Sequence, residues 1–133
     1  METQASVKIR NEWDIVQARQ LGRELSKEMG FGQVDQARIT TAISELARNI
    51  YLYAQNGEID VEAFGKVGRI GLKIISTDQG PGISDIRLVM QDGYTTSGGL
   101  GAGLPGVKRL MDDFKIHSQE GRGTEIVAIK WLR

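Results

Sequence analysis

The sequence predicts a two-layer α/β (α+β) sandwich, in which helices cover one face of a mixed, mostly antiparallel sheet. One observation supports this fold class, and a second supports its extent as one domain. The predicted elements follow one another in the order β-α-α-β-β-α-α-β-β, which suits a sheet packed under helices. The 133 residues contain no linker, internal repeat or low-complexity tract, so residues 1–133 are predicted to form a single domain.

Five segments alternate apolar and polar residues, which is the period of a half-buried strand. In the second of them, Ile59, Val61 and Ala63 lie on one side. The turn residues Asn56-Gly57 precede this segment and separate it from the helix before it. The predicted strands are Ser6–Arg10, Glu58–Phe64, Arg69–Asp78, Lys115–Gln119 and Thr124–Trp131.

Three longer segments have the 3.6-residue period of an amphipathic helix, and a shorter fourth begins at a capping residue. Asn11, Asp35 and Ser84 can cap helix N-termini, and Pro105 suits a first turn. The predicted helices are Glu12 to about Met29, Asp35 to about Ala54, Ser84 to about Asp92 and Leu104–Phe114. Residues 93–103 have no period and no charge, so they predict a mobile loop.

Composition excludes several classes of function. Seventeen Lys and Arg balance seventeen Asp and Glu, which argues against a protein that depends on the phosphate backbone of nucleic acids. The chain has no Cys and one His, His117, which excludes disulfides, thiol catalysis and clustered imidazole metal sites. No apolar run approaches the roughly 18 residues that span a bilayer, and the first residues do not resemble an export signal. We therefore expect a cytoplasmic protein without nucleic-acid or membrane partners.

Glycine is overrepresented, with 17 residues in 133, or about 13% against an average near 7%. Eight of the 17 lie between Gly80 and Gly106. Such a cluster indicates backbone conformations that other residues cannot adopt, or backbone that lies close to a ligand.

Two polar residues of the second predicted helix, Glu45 and Asn49, are four positions apart and so share a face. At 100° per residue they lie roughly 80–120° from the centre of the apolar stripe, at the edge of the core. This position is where the wall of a cleft would be. A solvated polar flank is the alternative interpretation.

The segment Asp78-Gln79-Gly80-Pro81-Gly82 follows an apolar strand directly. A tight turn is one interpretation of these residues. The other is a ligand site, because a buried carboxylate at a strand end needs a hydrogen-bond donor. The exocyclic amine of a purine would supply one.

A glycine-rich segment, residues 98–106, leads into the last predicted helix. Unpaired backbone N–H groups at such a helix start can bind an anion, although a flexible loop is the alternative. Residues 101–106 also fit the pattern G-x-G-x-x-G, but Tyr94–Ser97 precede it instead of an apolar strand, which excludes a Rossmann site. Residues 121–124, Gly-Arg-Gly-Thr, predict only a hairpin turn when taken alone.

Together, the order and spacing of four motifs resemble the Bergerat (GHKL) ATP-binding fold of gyrase B, Hsp90, histidine kinases and MutL. The motifs are Glu45-x-x-x-Asn49, Asp78-x-Gly80-x-Gly82, Gly99-x-Gly101-x-Gly103 and Gly121-x-Gly123-Thr124. The resemblance covers about residues 35–133. Within this superfamily, residues 39–54 and 78–110 are similar to the small bacterial serine kinases that regulate sigma factors, and most of all to the RsbT-type switch kinases of the stressosome.

The resemblance implies a role for each motif. Asn49 would bind the Mg²⁺ that bridges the phosphates of ATP, and Glu45 would be the general base that acts on a protein serine. Asp78, supported by Thr124, would accept the adenine amino group. The remaining nucleotide-binding positions would be Gly80 and Gly82 beside the base, and Gly99, Gly101, Gly103 and Leu104 around the phosphates. Phosphoryl transfer needs such positioning more than it needs covalent chemistry.

The activity that the resemblance implies is an ATP- and Mg²⁺-dependent protein serine/threonine kinase. Its substrates would be STAS-domain proteins of a stressosome, and once released it would bind and activate a PP2C-type phosphatase. A histidine kinase is disfavoured, because the chain has no dimerising hairpin with a phosphoacceptor His. Two alternatives are an anti-sigma factor kinase that binds a sigma factor directly, and a non-catalytic nucleotide-binding switch. Arg48 stands where anti-sigma relatives usually carry Thr.

Overall fold

The computed structural model describes residues 4–83 and 103–133, together with Arg87 and Met90. The elements in this part of the chain are β1 (Gln4–Ile9), α1 (Glu12–Met29), α2 (Gln33–Asn49), a π-helical turn (Ile50–Ala54), β2 (Gly57–Lys66), β3 (Arg69–Asp78), α3 (Gly103–Leu110), β4 (Asp113–Gln119) and β5 (Gly123–Trp131). The helix predicted at residues 84–92 and the loop predicted at residues 93–103 fall almost entirely outside the described residues. No helix in the described ranges is long and apolar enough to cross a membrane.

The strands form one five-stranded sheet in the order β1-β2-β3-β5-β4, and every neighbouring pair is antiparallel. The helices pack on one face of this sheet, α1 against α2 and α3 against α2. Apolar side chains from both layers fill the space between them, including Ile39, Ile43 and Leu46 of α2 and Ile59, Val61, Leu72 and Ile74 of the sheet. The predicted two-layer sandwich is therefore confirmed.

The strand register brings residues from four strands into one row at an end of the sheet. Gly57 of β2 lies opposite Asp78 of β3, Asp78 lies opposite Thr124 of β5, and Thr124 lies opposite Ser118 of β4. Residues directly opposite each other in antiparallel strands share a face. Ile74 and Ser76 alternate with Asp78 and are buried, so the row faces the helical layer.

The first helix confirms its prediction at both ends. Asn11 Oδ1 accepts a hydrogen bond from the Asp14 N–H at 3.1 Å, and Asp14 Oδ2 accepts one from the Asn11 N–H at 3.2 Å. This reciprocal capping box satisfies two of the unpaired donors at the helix start. Gly30, with φ +98°, adopts the left-handed conformation that ends the helix.

The prediction that Asp35 caps α2 is wrong. The N-cap is Gly32, because the Gln36 N–H already donates to the Gly32 carbonyl at 2.9 Å, and so starts the helix earlier. The Gln36 side chain also donates to the carbonyl of the buried Phe31 at 2.7 Å. Asp35 lies in the first turn instead, where it pairs with Arg38 at 2.9 Å. An acidic residue in this position interacts favourably with the helix dipole.

The last helix is shorter than predicted, since it ends at Leu110 and Phe114 belongs to β4. The buried Lys130 of β5 donates from Nζ to the Leu110 carbonyl at 2.8 Å, which satisfies an unpaired group at the helix end. Two residues later, the Asp112 N–H donates to the Ile129 carbonyl at 2.9 Å. Pairing with β5 therefore ends the helix at Leu110, although the apolar period of the sequence continues to Phe114.

Lys130 joins three elements through its ammonium group, which lies 3.7 Å from Asp35 and 3.6 Å from Asp112. Burial acts to raise the pKa of Asp112, but hydrogen bonds from Arg133 and the Trp131 N–H, together with the charge of Lys130, lower it overall. The carboxylate form is thus favoured in the folded chain. Its contribution to stability is present at neutral pH and is lost as the pH falls through this lowered pKa.

We expect Lys130→Met to lower the free energy of unfolding by about 2–4 kcal/mol, because two carboxylates lose a buried cation and Leu110 loses its donor. Urea unfolding monitored by circular dichroism measures this change. Lys115→Met is the matched control, since Lys115 is exposed on β4 and the change there should stay within about 0.5 kcal/mol. Equal stability of the two variants would contradict the structural role of Lys130.

Candidate active site

Glu45 and Asn49 lie one turn apart at the C-terminal end of α2. Glu45 is only 7% exposed, which excludes the solvated-flank interpretation for this side chain, and Asn49 is half-buried. Burial raises the pKa of Glu45, and the positive charge of Arg48 partly offsets this effect. The Nε atom of Arg48 is buried and has no hydrogen-bond partner among the described residues. A buried carboxylate thus lies near a cation that has an unused donor.

The chain after Asn49 was predicted to stay α-helical to Ala54, but it widens into the π-helical turn. This turn packs against the first residue of β2 and against the segment that follows β3, and a glycine lies at each contact. A Cβ atom on Gly80 would lie 2.6 Å from Ala54 Cβ, and one on Gly57 would lie 2.8 Å from Ile50 Cγ2. Since neither position has room for a side chain, the end of α2 lies directly against the Asp78 segment. Widened turns of this kind occur frequently at functional sites.

Asp78 closes a local turn with one carboxylate oxygen. Its Oδ1 accepts a hydrogen bond from the Gly80 N–H at 2.8 Å, so the turn interpretation is confirmed. No donor to Oδ2 is found in the described part of the chain, which leaves this oxygen for a ligand. The structure is therefore compatible with both interpretations of the motif at once.

Gly82 has φ +75°, and a Cβ atom there would lie 2.2 Å from the Gln119 carbonyl oxygen. The neighbouring Pro81 carbonyl accepts a hydrogen bond from the Gly121 N–H at 2.6 Å. The close approach of Gly82 in this structure is thus to the β4–β5 turn. Its role beside an adenine base stays a prediction.

The residues of the Gly-Arg-Gly-Thr segment do more than form a hairpin turn. Gly123 has φ +89°, and a Cβ atom there would lie 2.1 Å from the Asp78 carbonyl oxygen. This contact lets β5 start directly beside the Asp78 turn. Thr124 lies opposite Asp78, and its Oγ1 is 2.8 Å from Ser118 Oγ. The register places Asp78 and Thr124 side by side, and their joint role in binding a base stays a prediction.

Ser118, which none of the sequence motifs indicated, connects the β4–β5 hairpin to the segment after Asp78. Its hydroxyl contacts the Ile83 N–H at 2.8 Å, the Gly123 carbonyl at 3.0 Å and Thr124 Oγ1 at 2.8 Å. The strand alternation of residues 115–119 was visible in the sequence, but only the register shows that Ser118 faces Thr124. Its neighbour His117 is exposed on the edge strand and has no place in this cluster.

The structure brings most of the predicted site residues to one end of the sheet. One cluster contains Asp78, Gly80, Gly82 and Thr124, and the π-helical turn connects it to Glu45 and Asn49. Gly103, with φ +61°, and the buried Leu104 begin α3, which packs on α2. Gly99 and Gly101 lie outside the described residues, and their predicted contact with the phosphates stays a prediction.

The residues that the structure describes fit an adenine nucleotide with Mg²⁺. Within residues 4–83 and 103–133, no acceptor is found for Arg48 Nε and no donor for Asp78 Oδ2, so both groups have unused hydrogen-bonding capacity there. The described ranges contain no group of three or more His, Asp or Glu side chains that could hold a metal ion. A Mg²⁺ ion would therefore depend on phosphate oxygens, with the Asn49 amide oxygen as a protein ligand, which is common for this ion.

Comparisons with known proteins identify the family of this chain. The profile of the family described as histidine kinase-, DNA gyrase B- and HSP90-like ATPases matches residues 34–133. The serine/threonine-protein kinase RsbT of Bacillus subtilis is 70% identical over 133 residues, which is the whole of both chains. The anti-sigma F factor of Thermoanaerobacter sp. is 31% identical over 102 residues, which is 72% of this chain and 70% of that protein.

Two solved structures share the fold at low sequence identity. The RsbU and RsbW domains of a Mycobacterium tuberculosis protein superpose with a TM-score of 0.63 at 18% identity, over 97% of this chain and 33% of that one. The mycobacterial sensor histidine kinase MprB superposes with a TM-score of 0.58 at 17% identity, over 98% of both chains. The chain therefore belongs to the family of histidine kinase-, DNA gyrase B- and HSP90-like ATPases, and within it to the serine/threonine-protein kinases related to RsbT.

Proposed function

We propose that this chain transfers the γ-phosphoryl group of ATP to a serine or threonine of a STAS-domain protein. The observation that carries the proposal is the buried Glu45 carboxylate one turn before Asn49, at the end of the helix that meets the Asp78 segment. The full-length relationship to a serine/threonine-protein kinase supports the same reaction class. ATP with Mg²⁺ supplies the phosphoryl group when bound.

In the proposed reaction, Glu45 accepts the proton of the substrate hydroxyl while the hydroxyl oxygen bonds to the γ-phosphorus. The bond from this phosphorus to the oxygen shared with the β-phosphate breaks, and ADP keeps that oxygen and its electron pair. A general base works best when its pKa lies near the operating pH. Because burial raises the pKa of Glu45, the carboxylate is a stronger base here than in water.

The other site residues would bind and orient the nucleotide. Asn49 would hold Mg²⁺ against the phosphates. Arg48 Nε, which has no acceptor in the described part of the chain, would donate to an anionic oxygen. Asp78 Oδ2 would accept the adenine amino group, with Thr124 beside it. The glycine positions Gly80 and Gly82 would border the base, and Gly99, Gly101, Gly103 and Leu104 would border the phosphates.

We extend the proposal to partner switching in the cytoplasm. The relationship to a serine/threonine-protein kinase and to anti-sigma factors supports a kinase that changes partners. Phosphorylation of the STAS-domain protein would release this chain, which would then bind and activate a PP2C-type phosphatase. Pull-down of purified STAS-domain protein and PP2C-type phosphatase, with and without ATP, tests this order of events.

We expect Asp78→Asn to lower phosphoryl transfer from labelled ATP to a STAS-domain protein by about 10- to 100-fold. The reason is the loss of a charge-assisted hydrogen bond to the base, which is worth about 1.5–3 kcal/mol. Glu125→Gln is the matched control, because Glu125 is exposed on β5 next to Thr124 and faces away from the helical layer. The assignment of Asp78 fails if both variants transfer phosphate as well as the wild type.

An anti-sigma factor kinase is the second candidate, and the 31% identity to an anti-sigma F factor favours it. The discriminating experiment is a pull-down that offers a sigma factor and a STAS-domain protein in parallel. Capture of the sigma factor alone would replace the first proposal. A calorimetric titration with ATP and Mg²⁺ that gives no heat and no thermal shift would instead favour a non-catalytic switch.

A further inference from the structure

Ser118 makes a complete set of hydrogen bonds at the base end of the proposed nucleotide site. The Ile83 N–H donates to Ser118 Oγ at 2.8 Å, and Ser118 Oγ donates to the Gly123 carbonyl at 3.0 Å. The third contact, to Thr124 Oγ1 at 2.8 Å, allows either hydroxyl to donate. These three partners belong to β5 and to the segment that follows the Asp78 turn.

The directions of these bonds follow from the number of protons available. A serine hydroxyl has one proton and two acceptor lone pairs, and a carbonyl can only accept. The Ser118 proton is therefore used on Gly123, and the Thr124 proton is used on Ser118. Thr124 keeps only lone pairs for any further partner, on the side of the sheet that it shares with Asp78.

We propose that Ser118 is a positioning residue for nucleotide binding, which orients the Thr124 hydroxyl as an acceptor beside Asp78 and anchors the segment from Asp78 to Ile83. This inference rests on the proposed function, because it takes Asp78 and Thr124 as the base end of an adenine nucleotide site. Ser118 itself does not touch the nucleotide. It acts through Thr124 and through the Ile83 backbone, each at 2.8 Å.

Ser118 is expected to affect the binding of ATP and not the phosphoryl-transfer step. Ser118 lies on β4, whereas Glu45 and Asn49 lie on α2, so loss of the hydroxyl leaves the proton acceptor and the metal ligand in place. In Ser118→Ala, Thr124 would be free to rotate, and both Ile83 N–H and Gly123 C=O would lose a partner. The dissociation constant and the KM for ATP should then rise, while kcat at saturating ATP stays within about twofold.

The test is a calorimetric titration of the full chain with ATP and Mg²⁺, combined with kinase assays and thermal unfolding. We expect Ser118→Ala to raise the dissociation constant about tenfold. Ser118→Thr retains a hydroxyl and should recover most of the affinity. Ser76→Ala is the matched control. Ser76 is a buried serine on the face of β3 that also carries Asp78, and it makes none of the hydrogen bonds of Ser118. It should leave the dissociation constant unchanged even if it lowers the melting temperature.

Each result supports or overturns the inference. The inference is overturned if the dissociation constant of Ser118→Ala is unchanged, or if that of Ser76→Ala rises equally. It is also overturned if kcat falls in Ser118→Ala without a change in KM. These outcomes leave the proposed function intact, because wild-type chain still binds ATP and phosphorylates its substrate. Failure of the wild type to bind ATP would instead reject the proposed function itself.

Discussion

Replacing Glu45 with glutamine is expected to lower phosphoryl transfer by about 10²- to 10⁴-fold while the chain stays folded and binds ATP. The magnitude is that of losing a positioned general base. The glutamine amide has nearly the same shape as the carboxyl group but cannot accept the proton. Single-turnover transfer from labelled ATP to a STAS-domain protein measures the loss, and calorimetry measures ATP binding in parallel.

The stability of Glu45→Gln should change in the opposite direction to its activity. Burial raises the pKa of Glu45, so ionisation costs more in the folded chain than in the unfolded chain. The unfolded chain loses this proton at a lower pH, and stability therefore falls as the pH rises through the raised pKa. At neutral pH, the variant should melt at the same temperature as the wild type or higher. A strongly lowered melting temperature would show that Glu45 is a structural residue.

Arg48→Met is the control for this interpretation, because it changes the charge beside Glu45 and leaves the carboxylate in place. Loss of the positive charge removes the effect that lowers the Glu45 pKa. The acidic limb of the pH–rate profile should then move to higher pH. A limb that stays where it is in the wild type would exclude Glu45 as the titrating base.

The second large effect is expected for Gly123→Ala, which should lower the free energy of unfolding by about 3–5 kcal/mol and weaken ATP binding. A Cβ atom there would lie 2.1 Å from the Asp78 carbonyl oxygen, and Gly123 has φ +89°. Because the clash involves backbone on both strands, it cannot be relieved by turning a side chain. Relief requires β3 and β5 to separate where Asp78 and Thr124 face each other.

Gly121→Ala is the control that separates the two effects expected in Gly123→Ala, which are the steric clash of the new Cβ atom and the strain of a positive φ. Gly121 has φ +81°, but a Cβ atom there would have no atom within 4 Å. Its replacement should therefore cost only about 1–2 kcal/mol. Urea unfolding and ATP titration of the two variants measure the difference. If both lose the same stability and both bind ATP normally, the contact between Gly123 and Asp78 does not shape the site.

Much of the fold could be predicted because it depends on local patterns. The bounds of α1 and of β3 agree with the prediction to the residue, since a capping asparagine, a terminal glycine and strict alternation are all local signals. The two helix-end errors had different causes. A distant group ends α3, since Lys130 is 20 positions from Leu110. The start of α2 was placed too late for a local reason, because the Gln36 N–H bonds to the Gly32 carbonyl and begins the helix before Asp35.

By itself, the sequence determined the residue types and spacing that indicate an ATP-dependent kinase: Glu45 and Asn49 on one helix face, Asp78 at a strand end, and the glycines that follow. The tertiary structure alone decided the surroundings that give these groups their chemistry. Glu45 has a raised pKa because packing buries it, and Ser118 faces Thr124 because of the register between β4 and β5. Burial and register depend on contacts between residues far apart in the chain, so no local pattern contains them.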